Sequence, residues 1–521
     1  MDRTYEVRRA QYNFSDRWST DGSGQRALET IEVRKRTRRP IAASPSKAAL
    51  PPRLLAGSGT PQLRGTPSLA GIAEWLQQIG HSAEDINALN IIHVAGTKGK
   101  GSTCAFAESF LRARGRRIGY PAKTGLYTSP HLIYPEERIR LDGITISRER
   151  FARYFFEIFD RLPQLHSPYD SDLPVVQRGP RNLQLYALLA FHVFIRENVD
   201  VVVLETHSGG EYDATNVVEK PLVTAITTLG MDHVATLGPS MKNIAWHKGG
   251  IFKSGAAALS AVQADDADGT VNRVLRERAE AKSEVVRFVA EDERLPAGTR
   301  QLEPSVQRKN ASLALAAAEA WLEARCSGKE LSDVDIHAGV EQWSWPGRFQ
   351  VVHDASVKGC TWYLDAAHND MSVSIAAQWF AAETAAMTDI PASSLKSGEE
   401  GARILIFSHI NELRDSVALL GSLAIALRDC KAEIEHVIFT KYATVNTCEE
   451  TTDGRSTSET EMLHATWRKC QPGTRIWDEL SIQAAVDRAR DNVKSSTSRT
   501  GQILVTGSQH LVGPVLEILQ A

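Results

Sequence analysis

Ile91-Ile92-His93-Val94-Ala95-Gly96-Thr97-Lys98-Gly99-Lys100-Gly101-Ser102-Thr103 is the stretch whose reading decides the fold. It opens as an apolar, β-branched run, the pattern of a buried strand. It then breaks into a glycine-rich turn with a lysine and paired hydroxyls, and continues as Cys104-Ala105-Phe106-Ala107-Glu108-Ser109-Phe110-Leu111, a helical pattern. Strand, glycine-rich loop, helix is the layout of a phosphate cradle. Bare amides along Gly96, Thr97, Lys98 and Gly99 and the helix N-terminus face the anion. Lys100 adds a point charge, and Ser102 or Thr103 can hold Mg²⁺. The common form of this loop puts Ser or Thr directly after Gly-Lys, whereas here Gly101 intervenes. A glycine-rich turn that binds nothing is the alternative, and the flanking strand and helix weigh against it.

The chain has 521 residues, too many for one core, so two or three domains are expected. Hydrophobic content of 42% and charged content of 24% are those of a globular protein. A net charge of -3 gives no electrostatic reason for a nucleic-acid or membrane partner. The six cysteines are far apart and form no C-x-x-C, which points to reduced thiols in a cytosol-like compartment. No apolar run is long enough to span a bilayer.

Outward from the cradle, residues 1–67 carry Arg34-Lys35-Arg36-Thr37-Arg38-Arg39 and Pro/Ser/Gly-rich stretches without an apolar period, so a disordered leader is expected. A mitochondrial presequence is the alternative, opposed by Asp2, Glu6, Asp16, Glu29 and Glu32. Order is expected from 68, with Ile72, Trp75, Leu76 and Ile79 at helical spacing. Strands are expected within 124–132, 199–204 and 222–229, and helices over 151–159, 183–195 and 309–325. Strands alternating with helices mean a parallel sheet with right-handed crossovers. The first domain therefore spans 68–330, and a linker is expected over 331–345. A second, smaller α/β domain follows over 346–521, with strands at 349–353, 361–364, 404–407, 437–440 and 503–506 and a helix over 371–386. Polar stretches at 393–401 and 447–461 read as surface insertions.

A phosphate cradle needs partners, and Mg²⁺ takes hard oxygen ligands. Glu205 stands where the 199–204 run ends, and ligands of doubly wound sheets bind at strand carboxyl ends. His233 follows the 222–229 run in the same way, either as a ligand or as the cap of a turn. Arg348 opens the second domain, and Asp365 and His368 end one of its strands. If the site is a cleft between domains, these three face the nucleotide, and Arg348 stabilises charge on the transferring phosphoryl group.

Beyond spacing, the chain from 68 onward resembles folylpolyglutamate synthase, in its fungal or eukaryotic form, of the Mur-ligase superfamily. The resemblance rests on ordered motifs: the 93–103 loop; Gly125-Leu126-Tyr127-Thr128-Ser129-Pro130-His131-Leu132; Gly209-Gly210-Glu211-Tyr212-Asp213-Ala214-Thr215-Asn216; Leu229-Gly230-Met231-Asp232-His233; His247-Lys248-Gly249-Gly250-Ile251-Phe252-Lys253; Trp345-Pro346-Gly347-Arg348; and Thr506-Gly507-Ser508-Gln509-His510. It implies a P-loop ATPase domain, a Rossmann-like C-terminal domain and ATP-dependent amide ligation through an acyl phosphate. The implied partners are ATP, L-glutamate and a folate or other carboxylate acceptor. Mg²⁺, a monovalent cation such as K⁺, a monomeric state and a cytoplasmic setting are implied as well. By motif, Lys100 and Ser102 match triphosphate contacts. Ser129, Glu205 and His233 match Mg²⁺ ligands. Lys248 matches a lysine that relatives carry as a carbamate. Asn310, Arg348 and Asp365 match nucleotide contacts, and His368 matches a residue near the acyl phosphate.

The departures cluster around the acceptor. The family's Glu-Val-Gly-(Ile/Leu)-Gly-Gly is Glu205-Thr206-His207-Ser208-Gly209-Gly210, a bulkier and more polar loop. An arginine of the family's Val-Arg-Glu-Arg-Ile is Glu136, a reversed charge expected to weaken binding of a polyanion. Asn182-Leu183-Gln184-Leu185 and Pro304-Ser305-Val306-Gln307 also replace family stretches, and Asp-Gly-Ala-His has become Asp365-Ala366-Ala367-His368. A folate ligase is the leading expectation. The alternatives are a paralogue that joins another carboxylate to an amine in a specialised pathway, and a protein that binds nucleotide without turnover.

Overall fold

The computed structural model describes residues 23–32, 34, 68–163, 174, 177, 179–326, 330–386, 402–409, 415–441, 457–495 and 500–521. The chain divides into two compact units that meet between Ser344 and Trp345.

The first unit is built on β1 (Ile92–Ala95), β2 (Thr124–Tyr127), β3 (Ile139–Leu141), β4 (Ile144–Thr145), β5 (Val201–Glu205), β6 (Val223–Ile226), β7 (Ala257–Ala261) and β8 (Arg287–Val289). Their order across the sheet is β4-β3-β2-β5-β1-β6-β7-β8. From β2 to β8 all neighbours are parallel, and β3 and β4 extend the edge as antiparallel strands. Every residue of β1, β2, β5 and β6 is buried. That explains their unbroken apolar pattern, since helices cover both faces of the sheet. The chain leaves β1 for β2 and returns through β5, then crosses to β6 on the other side of β1. The end of β1 is thus the switch point at which doubly wound sheets bind ligands.

The helix that opens the cradle, Lys100–Ile118, is bracketed by Gly99 and Gly119, both in the left-handed region. Helix Ser305–Cys326 and helix Asp333–Gln342 pack along it. The second of these occupies the segment expected to be a linker, so the first unit continues to Ser344. The docking is specific. Ser109 Oγ donates to the Gly339 carbonyl at 2.7 Å, Arg117 grips Asp335 through two bonds of 2.7 and 2.6 Å, and Phe106 stacks on Trp343 at 4.2 Å. The short Ser332–Asp335 capping box starts the helix, a local signal that a search for long apolar periods passes over.

A further correction falls within the expected leader. Residues 23–32 form a helix, Ser23–Glu32, with Ala27 and Ile31 fully buried against helices Arg148–Phe159 and Asn182–Arg196. Arg34 belongs with it. Its guanidinium donates to the Pro180 carbonyl at 2.7 Å and lies over the Phe159 ring, and burial lowers its pKa to about 10. Two apolar positions four residues apart suffice once Asn182 ties the helix end, donating to the Ile31 carbonyl at 3.1 Å. The rest of 1–67 lies outside the described residues.

In the second unit β9 (Gln350–His353), β10 (Cys360–Leu364), β11 (Ala402–Phe407), β12 (His436–Thr440), β13 (Arg475–Glu479) and β14 (Gly501–Thr506) are ordered β13-β12-β11-β14-β10-β9, parallel except for β9. Its core holds Tyr363, Trp379, Phe380, Leu405, Phe407, Leu423 and Trp467. The stretch 393–401 and most of 447–461 lie outside the described residues, but 457–461 begin helix Thr457–Cys470 and are not an insertion.

Candidate active site

The 96–103 loop turns on two left-handed glycines, Gly96 and Gly99. The amides of Thr97 and Lys98 both donate to the Thr228 carbonyl, at 3.0 and 3.1 Å, and Thr227 Oγ1 donates to the Lys98 carbonyl at 2.7 Å. The first half of the loop is therefore tied to the end of β6 and does not offer those amides to an anion. The amides at 99–102 are the ones that the helix geometry leaves unpaired. The cradle is narrower than the sequence suggests, and it lies at the helix N-terminus, where the macrodipole favours negative charge. Gly99 is held from behind by Asn310: a Cβ at Gly99 would come within 2.1 Å of Asn310 Oδ1. Asn310 Nδ2 in turn donates to Gln307 Oε1 at 3.0 Å.

Charged side chains gather at the carboxyl ends of β1, β5 and β6. Lys100 Nζ lies 3.8 Å from Glu205 Oε1, and Lys98 Nζ lies 3.4 Å from Asp232 Oδ2. Lys248, at the end of helix Met241–Lys248, is 2% exposed and donates to the Gly96 carbonyl at 2.7 Å. Burial above all, and then Lys100, hold its pKa well below the usual lysine range. Three lysines thus converge on one loop, the arrangement expected of a polyanion site.

Ser129 and Glu205 are brought together. The Ser129 amide donates to Glu205 Oε2 at 3.0 Å, and Arg138 donates to Ser129 Oγ at 2.6 Å. A hydroxyl and a carboxylate are hard oxygen donors that suit Mg²⁺, with phosphate oxygens and water completing its shell. His233 stands on the turn after β6, exposed and with a left-handed backbone, and its amide donates to Asp232 Oδ1 at 2.8 Å. Among the described residues no group of three or more His, Cys, Asp or Glu converges as a metal cluster. Ser102 is buried, and Thr103 points into the core with its hydroxyl unpartnered.

Glu136 is not a bare reversed charge. Arg148 reaches it from the next helix with bonds of 2.9 and 2.8 Å and lies over the Tyr134 ring. Burial raises the Glu136 pKa, and Arg148 opposes that. This pairing joins Glu136 to a cation on the following helix, which no local motif reveals. The adjacent Glu137 accepts three amides, those of Leu132, Ile133 and Tyr134, and so shapes the loop.

In the second unit Arg348 donates to the Gly347 carbonyl at 3.1 Å, and Asp365 Oδ2 accepts the Phe349 amide at 3.0 Å. His368 Nδ1 lies 2.9 Å from the Ala366 carbonyl. A carbonyl only accepts, so Nδ1 carries the proton and Nε2 is the acceptor of the neutral ring. Gly347 and Ala366 are bonded backbone to backbone, which places Arg348, Asp365 and His368 around one strand junction.

A parallel sheet with a glycine-rich cradle at its switch point, followed by a second α/β unit, is a layout that Mur ligases share, and the family of the Mur ligase middle domain matches residues 178–331. The chain is 36% identical over 471 residues to the folylpolyglutamate synthase of Neurospora crassa, covering 87% of this chain and 85% of that one. It is 34% identical over 476 residues to the enzyme of that name from Saccharomyces cerevisiae, covering 87% and 82%. The chain belongs to the folylpolyglutamate synthase family. The fold agrees with that of Mycobacterium tuberculosis folylpolyglutamate synthase complexed with ADP, with a TM-score of 0.69 at 22% identity, covering 96% of this chain and 99% of that one. E. coli FolC in complex with DHPP and ADP gives a TM-score of 0.61 at 25% identity, covering 89% and 95%. The family and the two-domain α/β fold are those expected from the motifs.

Sequence reading passed over Arg138, Asp232, Thr227, Gln307 and the Tyr127–His207 contact. Asp232 and Arg138 lie inside motifs already singled out. Thr227 and Gln307 act through backbone and side-chain contacts that no spacing rule encodes.

Proposed function

We propose that this chain joins L-glutamate to a carboxylate of a folate, using ATP and passing through an acyl phosphate. The observation that carries the reading is the meeting of Lys100, Glu205 and Ser129 at a helix N-terminus with unpaired amides. A folate carboxylate oxygen attacks the γ-phosphorus, and the bond to ADP breaks. The glutamate amine then attacks the acyl carbon, the bond to phosphate breaks, and the amine gives up a proton. The protein has mainly to position two anions and to neutralise them.

Lys100 and the amides at 99–102 hold the triphosphate, with Ser102 beside them and Asn310 keeping the loop in place. Ser129 and Glu205, with His233 as a third ligand by motif, would hold Mg²⁺, which supplies charge neutralisation on the β- and γ-phosphate oxygens when bound. Burial favours the uncharged form of the Lys248 amine. The neutral amine is the form that takes up CO₂, which fits the carbamate known from relatives. Arg348 and Asp365 are assigned to the nucleotide and His368 to the acyl phosphate and incoming amine. A monovalent cation such as K⁺, a monomeric state and a cytoplasmic setting come with this reading on resemblance alone. Among the described residues no helix is long and apolar enough to cross a membrane.

The test is phosphate release by the purified protein with Mg-ATP, glutamate and tetrahydrofolate, omitting each in turn. Release that needs all of them, and that Lys100→Ala abolishes, is expected. Turnover with another carboxylate and none with folate would overturn the acceptor, and nucleotide binding without turnover would overturn the ligase.

A further inference from the structure

β2 and β5 run side by side, with Tyr127 opposite Leu204, and two cross-links join their carboxyl ends. One is the bond from the Ser129 amide to Glu205. The other lies behind it: the Tyr127 hydroxyl meets His207 Nε2 at 2.6 Å, with Tyr127 fully buried and the His207 side chain 3% exposed. Asp213 Oδ1 lies 3.6 Å from His207 Nδ1. Asp213 itself accepts from the Ser208 amide, the Thr215 amide and the Thr215 hydroxyl at 2.8, 3.0 and 2.8 Å. No hydrogen bond reaches His207 Nδ1, so the bond between Nε2 and the Tyr127 hydroxyl is what ties the ring. Arg138 acts on the same hydroxyl, opposing the rise that burial gives the Tyr127 pKa. Arg138 lies 4.4 Å over the Tyr186 ring and donates to His131 Nδ1 at 2.9 Å and to Ser129 Oγ at 2.6 Å.

We propose that His207 is a positioning residue for the divalent-cation site: through Tyr127 and Arg138 it orients the Ser129 hydroxyl, and through the turn after β5 it orients Glu205. The proposal rests on the reading of Ser129 and Glu205 as cation ligands. Its physics is that of outer partners, which fix the direction of a ligand's lone pairs before the ion arrives. It also changes the meaning of the Thr206-His207-Ser208 loop. The histidine that set this loop apart in sequence is buried as a strut between two strands. A glycine at 207 would strand the Tyr127 hydroxyl and free Arg138 to move off Ser129.

The test uses the full chain and Mn²⁺ as probe. Free Mn²⁺ is followed by electron paramagnetic resonance in the presence of saturating ADP, alongside metal-free ADP binding and thermal unfolding. Tyr127→Phe keeps the ring and its packing, so it remains decisive even if His207→Ala fails to fold. Each single variant should weaken Mn²⁺ binding about tenfold, the low end for an outer partner. Metal-free ADP affinity should stay unchanged, and the double variant should be no weaker than either single one, because both break the same chain of bonds. Wild-type Mn²⁺ affinity in folded Tyr127→Phe, or losses that simply add, overturns the proposal while the cation assignment stands. If the wild-type protein with ADP takes up no Mn²⁺, the assignment of Ser129 and Glu205 falls, and the proposal with it.

Discussion

At Lys248 a lysine amine lies 2% exposed, donates to the Gly96 carbonyl and faces Lys100. Its proton is resisted in the folded chain and accepted in the unfolded one. Stability is therefore lost as pH falls below the ordinary lysine range. Lys248→Met carries no proton and escapes it, so thermal unfolding at pH 7 should rise by a few degrees, on the order of what 1 kcal/mol gives in a domain this large. The gain should shrink toward pH 10 and reverse there, where only the lost bond to Gly96 remains. Phosphate release should fall by about a hundredfold or more, the usual scale for a lost electrostatic group. Unchanged turnover in Lys248→Met would remove this lysine from the mechanism. Gly99 tests the loop in the same way. Its left-handed backbone costs a residue with a Cβ about 1 kcal/mol or more, and that Cβ would press Asn310 off the loop. Gly99→Ala should bind ADP about tenfold more weakly by calorimetry, a loss of about 1.4 kcal/mol, with a small change in unfolding temperature.

The elements legible in the sequence are those buried on both faces. β1, β5, β6, β10, β11, β12 and β14 show as apolar runs because helices cover them twice over. β13 reads Arg475-Ile476-Trp477-Asp478-Glu479 because it is an edge, half exposed, where charge blunts further pairing. β7 is Ala257-Ala258-Leu259-Ser260-Ala261, too weak in β-branched residues to stand out. The site was legible where motif and strand end coincide, as at Lys100 and Glu205. It was hidden where a distant side chain completes it, as with Arg148 on Glu136. Helix Asp333–Gln342 is the instructive miss, since its hold on the cradle helix depends on one small residue. A Cβ at Gly339 would lie 2.4 Å from the Phe110 ring and 3.1 Å from its backbone. Gly339→Val should destabilise the first unit by about 1–3 kcal/mol, the usual cost of overpacking. Helix Ser23–Glu32 makes a parallel case: Ile31→Ala should cost about 2–4 kcal/mol if that helix is part of the core. A denaturation midpoint equal to the wild type in Ile31→Ala would return the segment to a leader.

Over the whole molecule, the buried histidines set how the protein meets acid. In the first unit burial holds His93 at a pKa of about 3, and burial, Lys248 and Arg278 hold His247 at about 4. Burial also lowers His207, against the pull of Asp213. A histidine depressed in the folded state takes its proton first in the unfolded chain. Stability is then whole above pH 6.5 and is lost as pH falls from there toward 3–4. Each such group is worth on the order of a few kcal/mol by pH 4. The second unit is built differently. Its Asp354, bonded to Arg490, Ser356 and Trp362, is held at about 2 despite partial burial, so that contribution is present above the ordinary aspartate range and fades only toward pH 2. His436 is lowered by burial as well but is half-buried. Acidification should therefore open the first unit before the second. Hydrogen exchange with peptide resolution, stepped from pH 7 to pH 4, should show β1, β5 and β6 losing protection while β10, β11 and β14 keep theirs. His93→Gln, which keeps a polar partner for the Thr215 hydroxyl 2.9 Å away but has no proton to gain, should move the first transition to lower pH. A single transition at one pH for both units, unmoved by His93→Gln, would place the acid lability elsewhere.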